Sequence, residues 1–427
     1  MREGVAGTME EMIRIRRELH RHPEAGWTEF WTTAYVAGAL EAMGYDVAVG
    51  RSVVDENSIM GRPEDLEPFI QRAVSQGADP RWLREMDGYT GAVAIVETGR
   101  PGPTVALRFD IDSVETTEAD GGAHLPFQKG FASQNPGCMH ACGHDGHTAI
   151  GLALARFLME EKNRLRGRIK LLFQPAEEGV RGGYAMTARG LLDDVDFFVA
   201  AHLGLGFPTG TIVAGTRGFL CTTKFDVTYR GQGAHAGAEP HKGKNALLAA
   251  ATAAVNLHGI APHKDGLSRV NVGVLQAGEG RNVVPSRASM KVETRGETND
   301  IAQYVYGRAE TIVRSAAEMY DVGWHVTKMG EAITASSDPE AVEVVVRAAQ
   351  DAEGVMHVLA EALMSGSDDA TWMMDRVQRR GGVATYVIVG ADCSAGHHNE
   401  AFDFDERAMG IGLDVLAGVV SDVAKID

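Results

Sequence analysis

Ten residues, CMHACGHDGH at 138–147, hold two cysteines, three histidines and an aspartate. Thiolate and imidazole are both good ligands for borderline divalent metals. The glycine between Cys142 and His144 lets both side chains turn toward one point. The plain alternative is a turn in which the cysteines pack and the histidines face water, and for one isolated histidine it would suffice. No second Cys/His pair stands at zinc-finger spacing, so this is not a finger. A Cys142 nucleophile served by His144 or His147 is a rival reading, but it leaves the remaining candidates without a purpose.

Those candidates recur at one kind of place. RFD ends in Asp110 and is followed by Asp112, LLFQ leads to Glu177-Glu178, FFVAA leads to His202, and TYVIVG leads by a short loop to His397-His398. Each follows the carboxyl end of a predicted strand, where open parallel sheets gather their sites. Adjacent glutamates in extended chain point opposite ways, so one can bind metal while the other stays free as a general base. Neither HExxH nor GxSxG is present, which removes two rival hydrolytic schemes. Further on, GQGAHAGAEP (231–240) places His235 in a glycine-rich loop. RNVVPSRASMKVETRG (281–296) places Asn282 and Arg295 on neighbouring loop and strand. An arginine offers bidentate recognition of a carboxylate, and His or Asn can polarise a scissile carbonyl.

The elements that must position these groups are legible in outline. Thr8 and Glu11 suggest a capping box for a first helix that stops near Pro23, and a second helix is predicted over 28–43. Residues 51–90, polar and carrying Pro63, Pro68 and Pro80, read as a helical insertion. Strand-like runs at 92–98 and 104–110 come first, and from 140 onward strands at 168–174, 195–201 and 385–390 alternate with helices at 147–161, 338–352, 368–380 and 405–424. That alternation predicts parallel pairing in an α/β three-layer sandwich. Between 216 and 333 the rhythm changes to β-α-β-β-α-β, a ferredoxin-like α+β domain inserted between catalytic segments 1–215 and 334–427.

Composition removes other classes. The chain has 427 residues, 44% of them apolar and 23% charged, an ordinary globular balance. Lys and Arg number 41 against 58 Asp and Glu, a net charge of −17, and no basic run is long enough to coat nucleic acid. A substrate carboxylate therefore needs local cations; Arg295 is one, with Arg181 and Lys224 as further candidates. No signal-peptide h-region and no membrane-length apolar run is visible. Four cysteines are too few for a disulfide framework, so a cytoplasmic, reducing location is expected.

Taken in order, RFDID, MHACGHDGH, FQPAEEG, AAHLG, GQGAHAGAEP, RNVVP and GHHNEAFDFDE resemble the metallo-amidohydrolase family of bacterial aminoacylases and plant indole-acetyl-amino-acid hydrolases, over nearly the whole chain. The resemblance implies two divalent metals, Mn2+ or Zn2+, held by Cys142, His144, Glu178, His202 and His398, with the thiolate bridging. His397 is the alternative to His398. Glu177 matches the general base and Asp112 a residue that orients a ligand. His235 matches a residue that reaches a neighbouring subunit's site and holds the carbonyl oxygen; Asn282 and Arg295 match holders of the substrate's carboxylate. The implied activity is hydrolysis of an aromatic acyl-amino acid, p-aminobenzoyl-glutamate foremost and indole-3-acetyl-aspartate next. The implied assembly is a homodimer or a pair with a related subunit, formed through the inserted domain acting also as a lid. A non-catalytic partner subunit is the reading from another class.

Overall fold

The computed structural model describes residues 5–425, which divide into two compact units. The first comprises the described residues of 5–217, Ala335–Met364 and 368–425, and the second Gly218–Thr334 with Ser365–Ser367.

The first unit is a mixed α/β fold around an eight-stranded sheet. Its strands lie in the order Val47–Val49, Ala92–Glu97, Arg168–Gln174, Thr104–Asp110, Phe197–Leu203, Val383–Val389, Thr211–Val213 and His357–Leu359. The four central strands run parallel and are almost wholly buried, as their continuous apolar runs require. Ala92–Glu97 runs antiparallel to Arg168–Gln174 and to Val47–Val49. Only residues 98–103 connect it to Thr104–Asp110, too few for the crossover that a parallel return needs. Two helix groups pack on the sheet: His144–Glu161 with Val5–Arg21, Pro339–Asp351 and Arg407–Ala424 around it, and Gly182–Ala188 with Ala370–Arg379.

Some local expectations need correction. The first helix already includes Thr8 and Glu11, so Thr8 is no N-cap; Glu11 instead ion-pairs with Arg156. The 51–90 stretch is α-helical only at Glu67–Ser75 and Pro80–Met86, where Pro68 and Pro80 sit in first turns and start helices rather than break them, with a 3-10 turn at Glu56–Ser58 before them.

The second unit has the order strand Cys221–Arg230, helix Ala246–His258, strands Ser268–Ala277 and Arg287–Gly296, helix Asn299–Met319, strand Gly323–Ala332. Its sheet is antiparallel throughout, with Gly323–Ala332 and Ser268–Ala277 at the edges. Alternate residues Phe225, Val227, Tyr229, Met290 and Val292 meet Ala249, Ala253 and Val313 in a separate core. The opposite face carries Lys224, Lys291, Glu293 and Arg295, the one-sided pattern of a half-covered sheet.

Candidate metal centre

Backbone geometry at the carboxyl ends of the central strands sets the site. Gly143 has φ +89, a left-handed turn that any side chain would strain, and helix His144–Glu161 starts directly after it. That start lies three residues ahead of the predicted one, which puts His144 in the first turn. Glu177 and Glu178 follow strand Arg168–Gln174 through a turn in which Ala176 has φ +53; Glu29 Oε1 accepts the Ala176 N–H at 2.7 Å. His202 lies inside strand Phe197–Leu203, not beyond its end. His398, at φ +66, is anchored by its own N–H to the Ala141 carbonyl at 2.8 Å.

These residues converge. Cys142, His144 and His202 form one triad of potential ligand atoms and Cys142, Glu178 and His398 another, each within 4.8 Å, so the thiol stands in both. Cys142 Sγ is 3.6 Å from His202 Nε2, and His398 Nε2 is 3.1 Å from Glu178 Oε1. The Nδ1–H groups of His144 and His202 donate to the carbonyls of Asp112 and Leu203, at 3.0 and 2.8 Å. Both rings therefore present the Nε2 lone pair to the cluster, the tautomer that metal-bound histidine needs. His144 Nε2 is buried with no hydrogen-bond partner. Burial, then the nearby Glu178 carboxylate, pushes the Cys142 thiol well up, so its thiolate form calls for a cation beside it. The donor set thus fits a pair of divalent cations sharing Cys142.

The neighbouring histidines are spent elsewhere. His147 donates through Nδ1 to Asp110 and accepts the Leu203 N–H on Nε2 at 2.9 Å. His397 Nε2 donates to the Leu203 carbonyl at 3.3 Å, so of the adjacent pair only His398 joins a triad. Asp112 touches two of the candidate ligands at once: its Oδ2 accepts the Glu178 N–H at 2.9 Å, and its Oδ1 lies 3.4 Å from His144 Nδ1.

Behind the ligands sits a charged network that sequence reasoning missed, apart from noting Asp110 at a strand end. Arg108, fully buried, donates to Gln174 at 2.7 Å and Asp110 at 2.6 Å, and reaches Asp368 and Asp369 at 3.3 and 3.4 Å. Tyr386 donates to Asp368 at 2.7 Å, and Gly183 N–H to Asp369 at 2.7 Å. Burial alone would raise Asp110, yet Arg108, His144 and His147 outweigh it and hold it well below the usual carboxylate range. Glu177 oxygen atoms lie within 4.8 Å of those of Asp368 and Asp369. Burial, then Asp368, Glu178 and Asp369, drive Glu177 well upward. The available signal was Arg108 itself, a cation inside the apolar run TVALRFD that demands buried carboxylates.

Residues 106–422 match the model of peptidase family M20/M25/M40. The chain belongs to this family. An indole-3-acetyl-aspartic acid hydrolase of Enterobacter agglomerans is 52% identical over 421 residues, 98% of this chain and 97% of the relative. One subunit of the p-aminobenzoyl-glutamate hydrolase of Escherichia coli K12 is 50% identical over 406 residues, 94% and 93% of the two chains. Among solved structures, an aminobenzoyl-glutamate utilization protein from Klebsiella pneumoniae superposes with a TM-score of 0.86 at 44% identity, covering 98% of this chain and 97% of its own.

In this M20 chain His235, Asn282 and Arg295 fall in the second unit. His235 is exposed, and its Nδ1 accepts the N–H groups of Gly237 and Ala238, each at 3.1 Å. The neutral ring must then carry its proton on Nε2, as an outward donor. Asn282 lies on the segment facing His235, and its carbonyl accepts the Ala236 N–H at 2.9 Å. Arg295 is far from both. It stands eight residues along the strand from Arg287, about 26 Å at ~3.3 Å per residue, and the backbone pairing of 231–236 with 282–286 runs on past Arg287 away from it, so Asn282 and Arg295 of one chain do not meet at one carboxylate. Its guanidinium is held by both oxygens of Glu293 at 3.0 Å. Arg181, expected as a free cation, donates instead to the carbonyls of Glu178 and Gly61 and braces the glutamate turn.

Proposed function

We propose that this chain hydrolyses the amide bond between an aromatic acyl group and an acidic amino acid, with p-aminobenzoyl-glutamate as substrate and indole-3-acetyl-aspartate as the second reading. The observation that carries it is Cys142 standing in both ligand triads beside Glu177, in a chain half identical, end to end, to hydrolases named for those two conjugates. Both conjugates join an aromatic acyl group to a dicarboxylic amino acid.

A pair of Mn2+ or Zn2+ ions held by Cys142, His144, Glu178, His202 and His398 would supply Lewis-acid polarisation of the carbonyl and a water of lowered pKa. Glu177, free of both triads, takes the proton of the attacking water and returns it to the leaving nitrogen. Asp112 orients His144 and Glu178. The Nε2–H of His235 donates to the carbonyl oxygen, while Asn282 and Arg295 hold the substrate's carboxylate. Their separation within one chain favours His235 and Asn282 acting from one copy and Arg295 from the other, hence a dimer.

The remaining proposals follow from this reading. Segments 1–215 and 334–427 form a three-layer catalytic domain, and 216–333 is a ferredoxin-like lid and dimerisation domain. The dimer is of two copies or with a related subunit. All four cysteines are free, which suits a cytoplasmic enzyme; among the described residues no helix is long and apolar enough to cross a membrane.

The test is release of the free amino acid from p-aminobenzoyl-glutamate, indole-3-acetyl-aspartate and their neutral amino-acid analogues, by this chain alone with manganese or zinc supplied. Turnover of the acidic conjugates ahead of the neutral ones is expected. No turnover would leave a non-catalytic subunit, and equal turnover would remove the preference for an acidic amino acid.

A further inference from the structure

Arg16, on the first helix, is fully buried although no ligand or catalytic role touches it. Its Nε donates to Asp145 at 2.9 Å, its Nη2 to Asp403 at 2.6 Å and its Nη1 to Glu406 at 3.2 Å. The guanidinium also lies over the rings of Phe404 and Phe131, 4.5 and 5.1 Å from their centroids. One turn on, His20 holds the same Asp145 oxygen at 2.8 Å through Nδ1 and Glu118 at 3.0 Å through Nε2.

The partners matter for where they stand in the chain. Asp145 directly follows His144, and Asp403 lies five residues beyond His398. Gly146 and Phe404 touch as well, since a Cβ at Gly146 would come 2.6 Å from the Phe404 ring. The fork of Arg16 therefore spans two segments that supply Cys142, His144 and His398. We infer that Arg16 is a positioning residue that sets the spacing between these two segments and so between the two ligand triads, an inference that rests on the metal reading above. A guanidinium offers five donors at fixed angles, and only such a fork reaches carboxylates from both segments at once. A lysine keeps the charge but loses the span.

The test compares wild-type, Arg16→Lys and Asp403→Asn chains, stripped with chelator and reloaded with Zn2+ or Mn2+. Bound ions per chain, their dissociation constants, and melting temperatures of stripped and loaded forms are measured. Asp403→Asn removes only one of the three acceptors and covers the event that Arg16→Lys does not fold. Wild type should take up two ions. The variants should weaken at least one of them by about 10–100-fold, the usual effect of disturbing a ligand's support. They should also lose much of the metal-induced rise in melting temperature. Unchanged ion affinities, or equal melting shifts in stripped and loaded forms, would reduce Arg16 to a purely structural role and overturn the inference. A wild-type chain that binds fewer than two ions overturns the metal reading, and this inference with it, before any variant is compared.

Discussion

Leu203 donates its N–H to His147 Nε2 at 2.9 Å, while the other nitrogen of His147 is bound to Asp110. Neither nitrogen has a lone pair for a cation, although the ring stacks 5.3 Å from His144. His147→Gln can keep both hydrogen bonds through its amide, so it should retain two ions and lose only about 1–3 kcal/mol of stability. His202→Gln, with Nε2 facing Cys142, should lose an ion. Metal analysis of the two purified variants checks the contrast.

Glu177 lies among carboxylates but outside both Cys142 triads. Glu177→Gln should keep both ions and lower kcat by at least ~10²-fold, the ordinary weight of general base catalysis. Steady-state kinetics on protein of verified metal content makes the comparison.

The separation of Asn282 from Arg295 gives a test by mixing. His235→Ala and Arg295→Ala should each be nearly inactive. Co-expressed, they should regain roughly a quarter of wild-type activity, because random pairing makes half the dimers mixed, each with one intact site. Sites built within single chains would regain nothing.

Cys142-Gly-His144, Glu177-Glu178 and His202 stood out as candidates because residue type and place near a strand end are local properties; their division into ligands and base came from the family resemblance. His398 was preferred to His397 from the motif it resembles; the physical reason, that the Leu203 carbonyl takes up the His397 ring, appears only in the fold. Arg108 with Asp368 and Asp369 was hidden for a similar reason, as 260 positions separate Arg108 from Asp368 and only the folded sheet joins them. The β-α-β-β-α-β order of the second unit could be read from alternation and turn spacing. The reversal of Ala92–Glu97 could have been read from its short connection.

Glu29 carries the clearest pH dependence. Burial, then the Asp112 carboxylate, pushes its pKa up from 4.5 to about 8. The native state therefore holds a proton that the unfolded chain has already released. Stability falls as pH rises from 4.5 and the loss is complete above about 8, on the order of a few kcal/mol from this group. Glu29→Gln can still accept the Ala176 N–H and can donate to Thr90, so it should flatten that slope. Denaturant unfolding of both proteins from pH 5 to about 8.5 reads the difference.

The most direct test of the account is a crystal of the Zn2+- or Mn2+-loaded chain with anomalous data at the metal edge. Two peaks about 3.5–4 Å apart with Cys142 Sγ between them are predicted. A single ion, or one seated among Asp110, His144 and His147 away from Cys142, would contradict it.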